Sequence, residues 1–140
     1  MEESQIEFHA EGEFILESQE EVKHWFEATA KEEGKHIGAL NYIFCDDEYL
    51  IKINVEFLNH DTFTDIITFD YCVGDELISD IYISSERVAE NAKEFGETFE
   101  AELNRVLIHG LLHLCGYKDK TEEEAVLMRS KENYYLSLRD

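Results

Sequence analysis

The sequence contains no proline, and only 12 basic residues stand against 33 acidic ones, a formal net charge of −21 over 140 residues. Without proline there is no polyproline linker, and neither a repeat nor a low-complexity joint divides the chain, so it is expected to form one domain over residues 1–140. A chain of this length hides about two-thirds of its surface on folding, enough for a sizeable core. The shortage of cations argues against a body that clings to nucleic acid by charge alone, and no DNA partner is expected. Much of the acidity reads as solvated surface. Cys45, Cys72 and Cys115 are an odd, unclustered set, which fits reduced thiols in a cytoplasm better than a disulfide framework. No apolar run approaches membrane-spanning length, and Met1 to Ile6 lack the basic and apolar regions of a signal peptide. A cytoplasmic protein with no membrane partner is expected.

What is present is a series of strand and helix blocks. Gln5 to His9 forms a short strand pattern. Ser18 to Glu21 reads as a capping box before Val22, Trp25, Phe26 and Thr29 at helical spacing, and Gly34 closes that helix. His24 and His36, among charged residues, are expected to face solvent. Gly38 to Cys45 reads as a buried strand. Asp46 to Leu58 fits either an alternating strand or a helix capped by Asp46. Asp65 to Cys72 and Leu77 to Ser84 read as a hairpin, and Ser84 or Ser85 then caps a helix with Val88, Ala92 and Phe95 on one face, stopped by Gly96. Thr121 and Glu124 form a second capping box, opening a last helix with Ala125, Met128 and Tyr135 inward. The fold class this implies is α+β.

Thr98 to Asp119 stands out. Thr98 can cap, Glu100 and Glu102 suit the first turn, and leucines, Val106 and Ile108 make the helix apolar almost all round. One stripe differs: Glu102, Arg105, His109 and His113 recur every three or four residues and share a face. Histidines four apart can both reach one metal ion, and a break at Gly116 can swing Asp119 over them. The pattern His109-x-x-x-His113-x-x-Gly116-x-x-Asp119 overlays the HExxHxxGxxH zinc motif, with Gly110 in place of the glutamate base and Asp119 in place of the last histidine. Two histidines and a carboxylate with an open fourth position form a recognised catalytic zinc set. The competing account is a pair of core histidines satisfied by carbonyls or water. Adjacent imidazoles in so apolar a setting would each need a partner, which favours the metal. Cys115 lies about 200° round the helix from His113 and suits core filling better than ligation. Met128, within a helical pattern, also reads as core.

These residues resemble a family. HGLLHLCGYKD is similar to the HGxLHLxGYDH signature of the YbeY family, bacterial metal-dependent endoribonucleases of ribosomal RNA maturation. TDIITFDY (Thr64 to Tyr71) resembles its PTDVLSFP, and SDIYIS (Ser79 to Ser84) its GDIxIS. The resemblance implies a helix for Asp46 to Asn59 and a zincin-like fold, a mixed four-stranded sheet with helices packed on it. It also implies metal ligation by His109, His113 and Asp119, the last where the family usually has histidine. The family's Tyr-Arg before TDVLSF is replaced by Phe57 and Leu58, and its proline by Phe63. Asn59, His60 or Arg105 could take over part of the missing arginine's role.

The implied function is a metal-dependent endoribonuclease acting in rRNA maturation and ribosome assembly. One Zn2+ per chain, or another divalent ion, would activate water against the RNA phosphodiester. Its partners would be ribosomal RNA and small ribosomal subunit proteins, whose recruitment would offset the acidic surface. Arg105, one turn before His109, could stabilise charge at the phosphate, or could simply pair with Glu102 or another acid. Lys118 and Lys120 could position phosphates or be plain surface, and Thr64 and Asp65 are expected to be structural or to support the site. Two alternatives remain: a non-catalytic ribosome-assembly factor with a structural metal, and a metalloprotease, which Gly110 in the base position disfavours.

Overall fold

The computed structural model describes residues 5–12, 14–58 and 64–139. In chain order the elements are β1 (Gln5–Ala10), α1 (Gln19–Glu32), β2 (His36–Cys45), α2 (Asp47–Leu58), β3 (Ile66–Asp70), β4 (Glu76–Ser84), α3 (Ser85–Phe95), α4 (Phe99–Leu114) and α5 (Glu122–Ser137). The strands form one mixed sheet in the order β1-β2-β4-β3. The expected hairpin is present, with β3 antiparallel to β4, but β1–β2 and β2–β4 pair in parallel. Alternation of apolar and polar residues reports which face a side chain takes and carries no information on strand direction, so the parallel pairs had no signal of their own.

Helix α4 lies against one face of the sheet. Leu40, Tyr42, Phe44, Leu77, Ile81 and Ile83 of β2 and β4 join Leu103, Val106, Leu107, Ile108, Leu111 and Leu112 of α4 in the main core, with Val22, Trp25 and Phe26 of α1 beside them. The opposite face carries a smaller cluster under α2: Cys45, Leu50, Ile53 and Ile67. Consecutive residues of β3 divide between the two, Ile66 packing on the α4 side and Ile67 on the α2 side, as the strand pleat requires. The ambiguous stretch before β3 is helix, with Asp46 Oδ1 accepting from the Tyr49 backbone N–H at 2.8 Å.

Beside the Asp46 cap, four more of the expected caps form. Thr98, Ser84 and Thr121 accept from the third residue onward, Glu124 closes a reciprocal box with Thr121, and Gly96 ends α3 at φ 69°. The box expected at Ser18 does not form. Ser18 takes a left-handed backbone (φ 52°) rather than the extended one a cap uses, its side chain makes no cap hydrogen bond, and Gln19 donates to the Leu16 carbonyl at 3.1 Å. Phe95, expected to face inward, is exposed at the end of α3, and Ala125 is exposed on α5, whereas Met128 and Tyr135 are buried. His24 and His36 face solvent.

Candidate metal centre

Helix α4 carries both histidines because it can sit close to the sheet. Gly110 makes this possible: a Cβ there would meet Ile66 Cδ1 at 2.8 Å, so a glycine lets the histidine-bearing turn pack on β3. After Cys115 the chain reverses through Gly116 (φ 111°), a conformation side-chain-bearing residues rarely adopt. The Gly116 and Tyr117 backbone N–H groups return to the carbonyls of His113 (3.0 Å) and Leu112 (3.1 Å). That turn brings Asp119 back over the histidines.

The three expected ligands meet. His109 Nε2 and His113 Nε2 lie 3.0 Å apart, and Asp119 Oδ2 lies 3.3 Å from the first and 3.5 Å from the second. Ligand atoms arranged tetrahedrally at about 2.0–2.1 Å from zinc are separated by about 3.3 Å, which matches this triangle. Both Nδ1 atoms are committed elsewhere, His109 to Glu132 Oε2 at 2.5 Å and His113 to the Tyr117 carbonyl at 3.0 Å. With Nδ1 donating, each Nε2 is left with its lone pair aimed at the common point. The donor set therefore fits a divalent ion, and Asp119 is 39% exposed, so the site opens to solvent.

Glu132 of α5 supports this arrangement from behind. One oxygen takes His109 and the other takes Arg105 Nη1 at 2.8 Å, while Arg105 Nη2 donates to Asn133 Oδ1 at 2.8 Å. Arg105 thus pairs with an acid, and the acid is Glu132 rather than Glu102. Burial disfavours charge on both His109 and Glu132, but their mutual bond outweighs it, helped at His109 by the Asp119 and Asp65 carboxylates and at Glu132 by the Arg105 guanidinium. The imidazole pKa is therefore raised and the carboxyl pKa lowered. Asp65, just before β3, has its carboxyl raised by burial, partly offset by backbone N–H groups and by His109, and its own carbonyl accepts from the Ser84 N–H at 2.9 Å. Glu102 is buried and raised, first by that burial and then by Asp65. Burial pushes the Cys115 thiol up to about 12, which suits a core residue rather than a ligand.

A second carboxylate braces the loop. Glu33, just after α1, accepts from the Tyr117 hydroxyl at 2.8 Å and from the Tyr135 hydroxyl, with Lys131 3.9 Å away. Because the Tyr117 carbonyl holds His113, this network ties α1 and α5 to the ligand loop. The sequence reading missed Glu132 and Glu33. Glu132 had a signal, since it lies four residues after Met128 and three before Tyr135, on the stripe those buried residues define. Glu33 had none, because its partners are remote in sequence. Lys118 and Lys120 are exposed, and so is Leu58 at the end of α2. Asn59, His60 and Phe63 lie outside the described residues.

Comparison with known proteins shows the family. The family profile described as Endoribonuclease YbeY matches residues 5–139. A protein named Endoribonuclease YbeY from Flavobacterium johnsoniae is 56% identical over 133 residues, covering 95% of this chain and 96% of the relative. Another of that name from Christiangramia forsetii is 54% identical over 138 residues, covering 99% and 96%. The solution structure of TM1509 from Thermotoga maritima superposes with a TM-score of 0.69 at 31% identity, covering 96% of this chain and 89% of that one. The helix that presents His109 and His113, the sheet beneath it and the nearly full-length match lead to one assignment: this chain belongs to the YbeY endoribonuclease family.

Proposed function

We propose that the protein is a metal-dependent endoribonuclease acting on ribosomal RNA during its maturation. The observation that carries this reading is the convergence of His109 Nε2, His113 Nε2 and Asp119 Oδ2 on one point at 3.0–3.5 Å, with each Nδ1 already held. These three residues would hold one ion, Zn2+ by the borderline nitrogen-and-oxygen donor set, although the carboxylate also suits harder divalent metals. When bound, such an ion supplies Lewis acidity toward a phosphodiester oxygen and lowers the pKa of water to near neutrality. The chain's own residues do the rest. Glu132 orients His109 and fixes its tautomer, the Tyr117 carbonyl does the same for His113, and the exposed edge at Asp119 leaves room for a strand of RNA. Arg105 enters as the charged group behind His109, its guanidinium held by Glu132 and Asn133.

The exposure of the site favours catalysis over a purely structural metal, which is normally enclosed by four protein ligands. A peptidase is disfavoured, since the position of its glutamate base is Gly110, buried between α4 and β3 where Ile66 leaves no room for a side chain without movement. With a net charge of −21, the protein would work beside ribosomal proteins of the small subunit, in the cytoplasm, where basic partners offset its repulsion of RNA. The test is to challenge metal-loaded protein with single-stranded and structured rRNA fragments and with casein, with and without chelator. We expect weak, chelator-sensitive cleavage of single-stranded RNA and intact casein. Casein cleavage, or RNA cleavage indifferent to chelator, would overturn the reading.

A further inference from the structure

An open groove of about 630 Å³ runs from the metal centre along α5, with His109 and Asp119 at one end and Val126 and Arg129 on its wall. Every other charged residue lining it is acidic, and the molecule as a whole repels polyanions. Glu132, at the groove's base, is already taken by His109 and Arg105. Arg129 differs from Arg105. The Arg105 guanidinium is used by Glu132 and Asn133, both at 2.8 Å, whereas among the described residues Arg129 is exposed and makes no ion pair or hydrogen bond. It sits one turn before Glu132 on the same side of α5, so its side chain reaches over the groove next to the ligands. Val126, three residues earlier and 65% exposed, supplies an apolar patch beside it.

Resting on the nuclease reading, we propose that Arg129 is the phosphate anchor of this groove. It would bind the RNA backbone next to the phosphate under attack, with Val126 against the neighbouring sugar or base. A guanidinium presents two parallel N–H donors that match a phosphate, and Arg129, which acts on the Glu102 carboxyl only through space and makes no ion pair among the described residues, gives up no internal bond to bind one. The ligand is single-stranded RNA because the groove is open and lies on a helix, with an exposed apolar side chain against which an unstacked nucleoside can rest. This places on α5 the positive group that Leu58 does not provide on α2.

The experiment uses the metal-loaded, full-length protein with a labelled single-stranded rRNA fragment, comparing wild type, Arg129→Ala, Arg129→Lys and, as a charge-matched control far from the groove, Lys93→Ala. Arg129→Ala is expected to raise KM by about five- to tenfold. It should leave kcat within about twofold and make the logarithmic salt dependence of RNA affinity shallower by roughly one. Arg129→Lys should recover part of the loss, and Lys93→Ala should match wild type. If Arg129→Ala keeps the KM and salt slope of Lys93→Ala while wild type cleaves in a chelator-sensitive way, the anchor is overturned and the nuclease reading stands. If wild type neither binds nor cleaves RNA, both fall.

Discussion

Helices α4 and α5 are each 16 residues long, and both reach the candidate metal centre, yet they are built in opposite ways. On α4 nine residues are buried, and the site residues interrupt an apolar surface; on α5 only Met128, Glu132 and Tyr135 are buried, and the functional carboxylate is one of them. α4 presents the two histidines of the candidate ligand set. α5 supplies what holds a ligand in place and, by our inference, what meets the substrate. The difference separates two kinds of requirement. Ligands need a spacing within one helix, which four residues satisfy, whereas orientation needs a partner across a helix–helix contact.

Changes on the ligand side should be the most severe. Asp119→Ala, in the loop between the two helices, is expected to weaken metal affinity beyond about 100-fold, more than loss of a supporting group usually costs. Asp119→His should stay within about tenfold of wild type, because imidazole and carboxylate both ligate at about 2.0–2.2 Å. Competition against a chromogenic chelator measures both. Wild-type affinity in Asp119→Ala would place the third ligand elsewhere, with His60 next to be tried.

On the supporting side the loss should be partial. Glu132→Ala is expected to lower metal affinity by about 10- to 100-fold. It should also cost the metal-free protein about 3–5 kcal/mol, since Arg105 and His109 lose a buried shared acceptor. Denaturant titration in chelator reads the stability. Unchanged metal affinity would reduce α5 to packing alone. A smaller effect is expected for Arg105→Ala: metal affinity falls by about fivefold, and most of the lost cleavage returns at saturating metal, because Arg105 acts through Glu132. A loss that persists at full occupancy would instead assign the guanidinium to the phosphate.

Much of α4 was legible because its information is local. Thr98, the apolar run, the four-residue histidine spacing and Gly116 all act within one helix and its exit, and each appears where expected. Position 119 was legible for the same reason, lying one short turn beyond. The Ser18 box failed because a cap depends on backbone angles that side-chain identity does not dictate. Strand direction was hidden because alternation is the same read either way. Glu132 and Glu33 were passed over because an acid in an acid-rich chain looks like surface until the remote residues that bury it are known, here Arg105 with His109, and Tyr117 with Tyr135.

The central claim is that one ion held by α4 and its exit loop is responsible for RNA cleavage. Metal content and cleavage of a single-stranded rRNA fragment, measured on the same chelator-free preparations of wild type and His109→Ala, test it directly. The account predicts one equivalent of metal and chelator-sensitive cleavage in wild type, with both lost in His109→Ala. Equal metal content in the two proteins, or cleavage that His109→Ala leaves untouched, would contradict it.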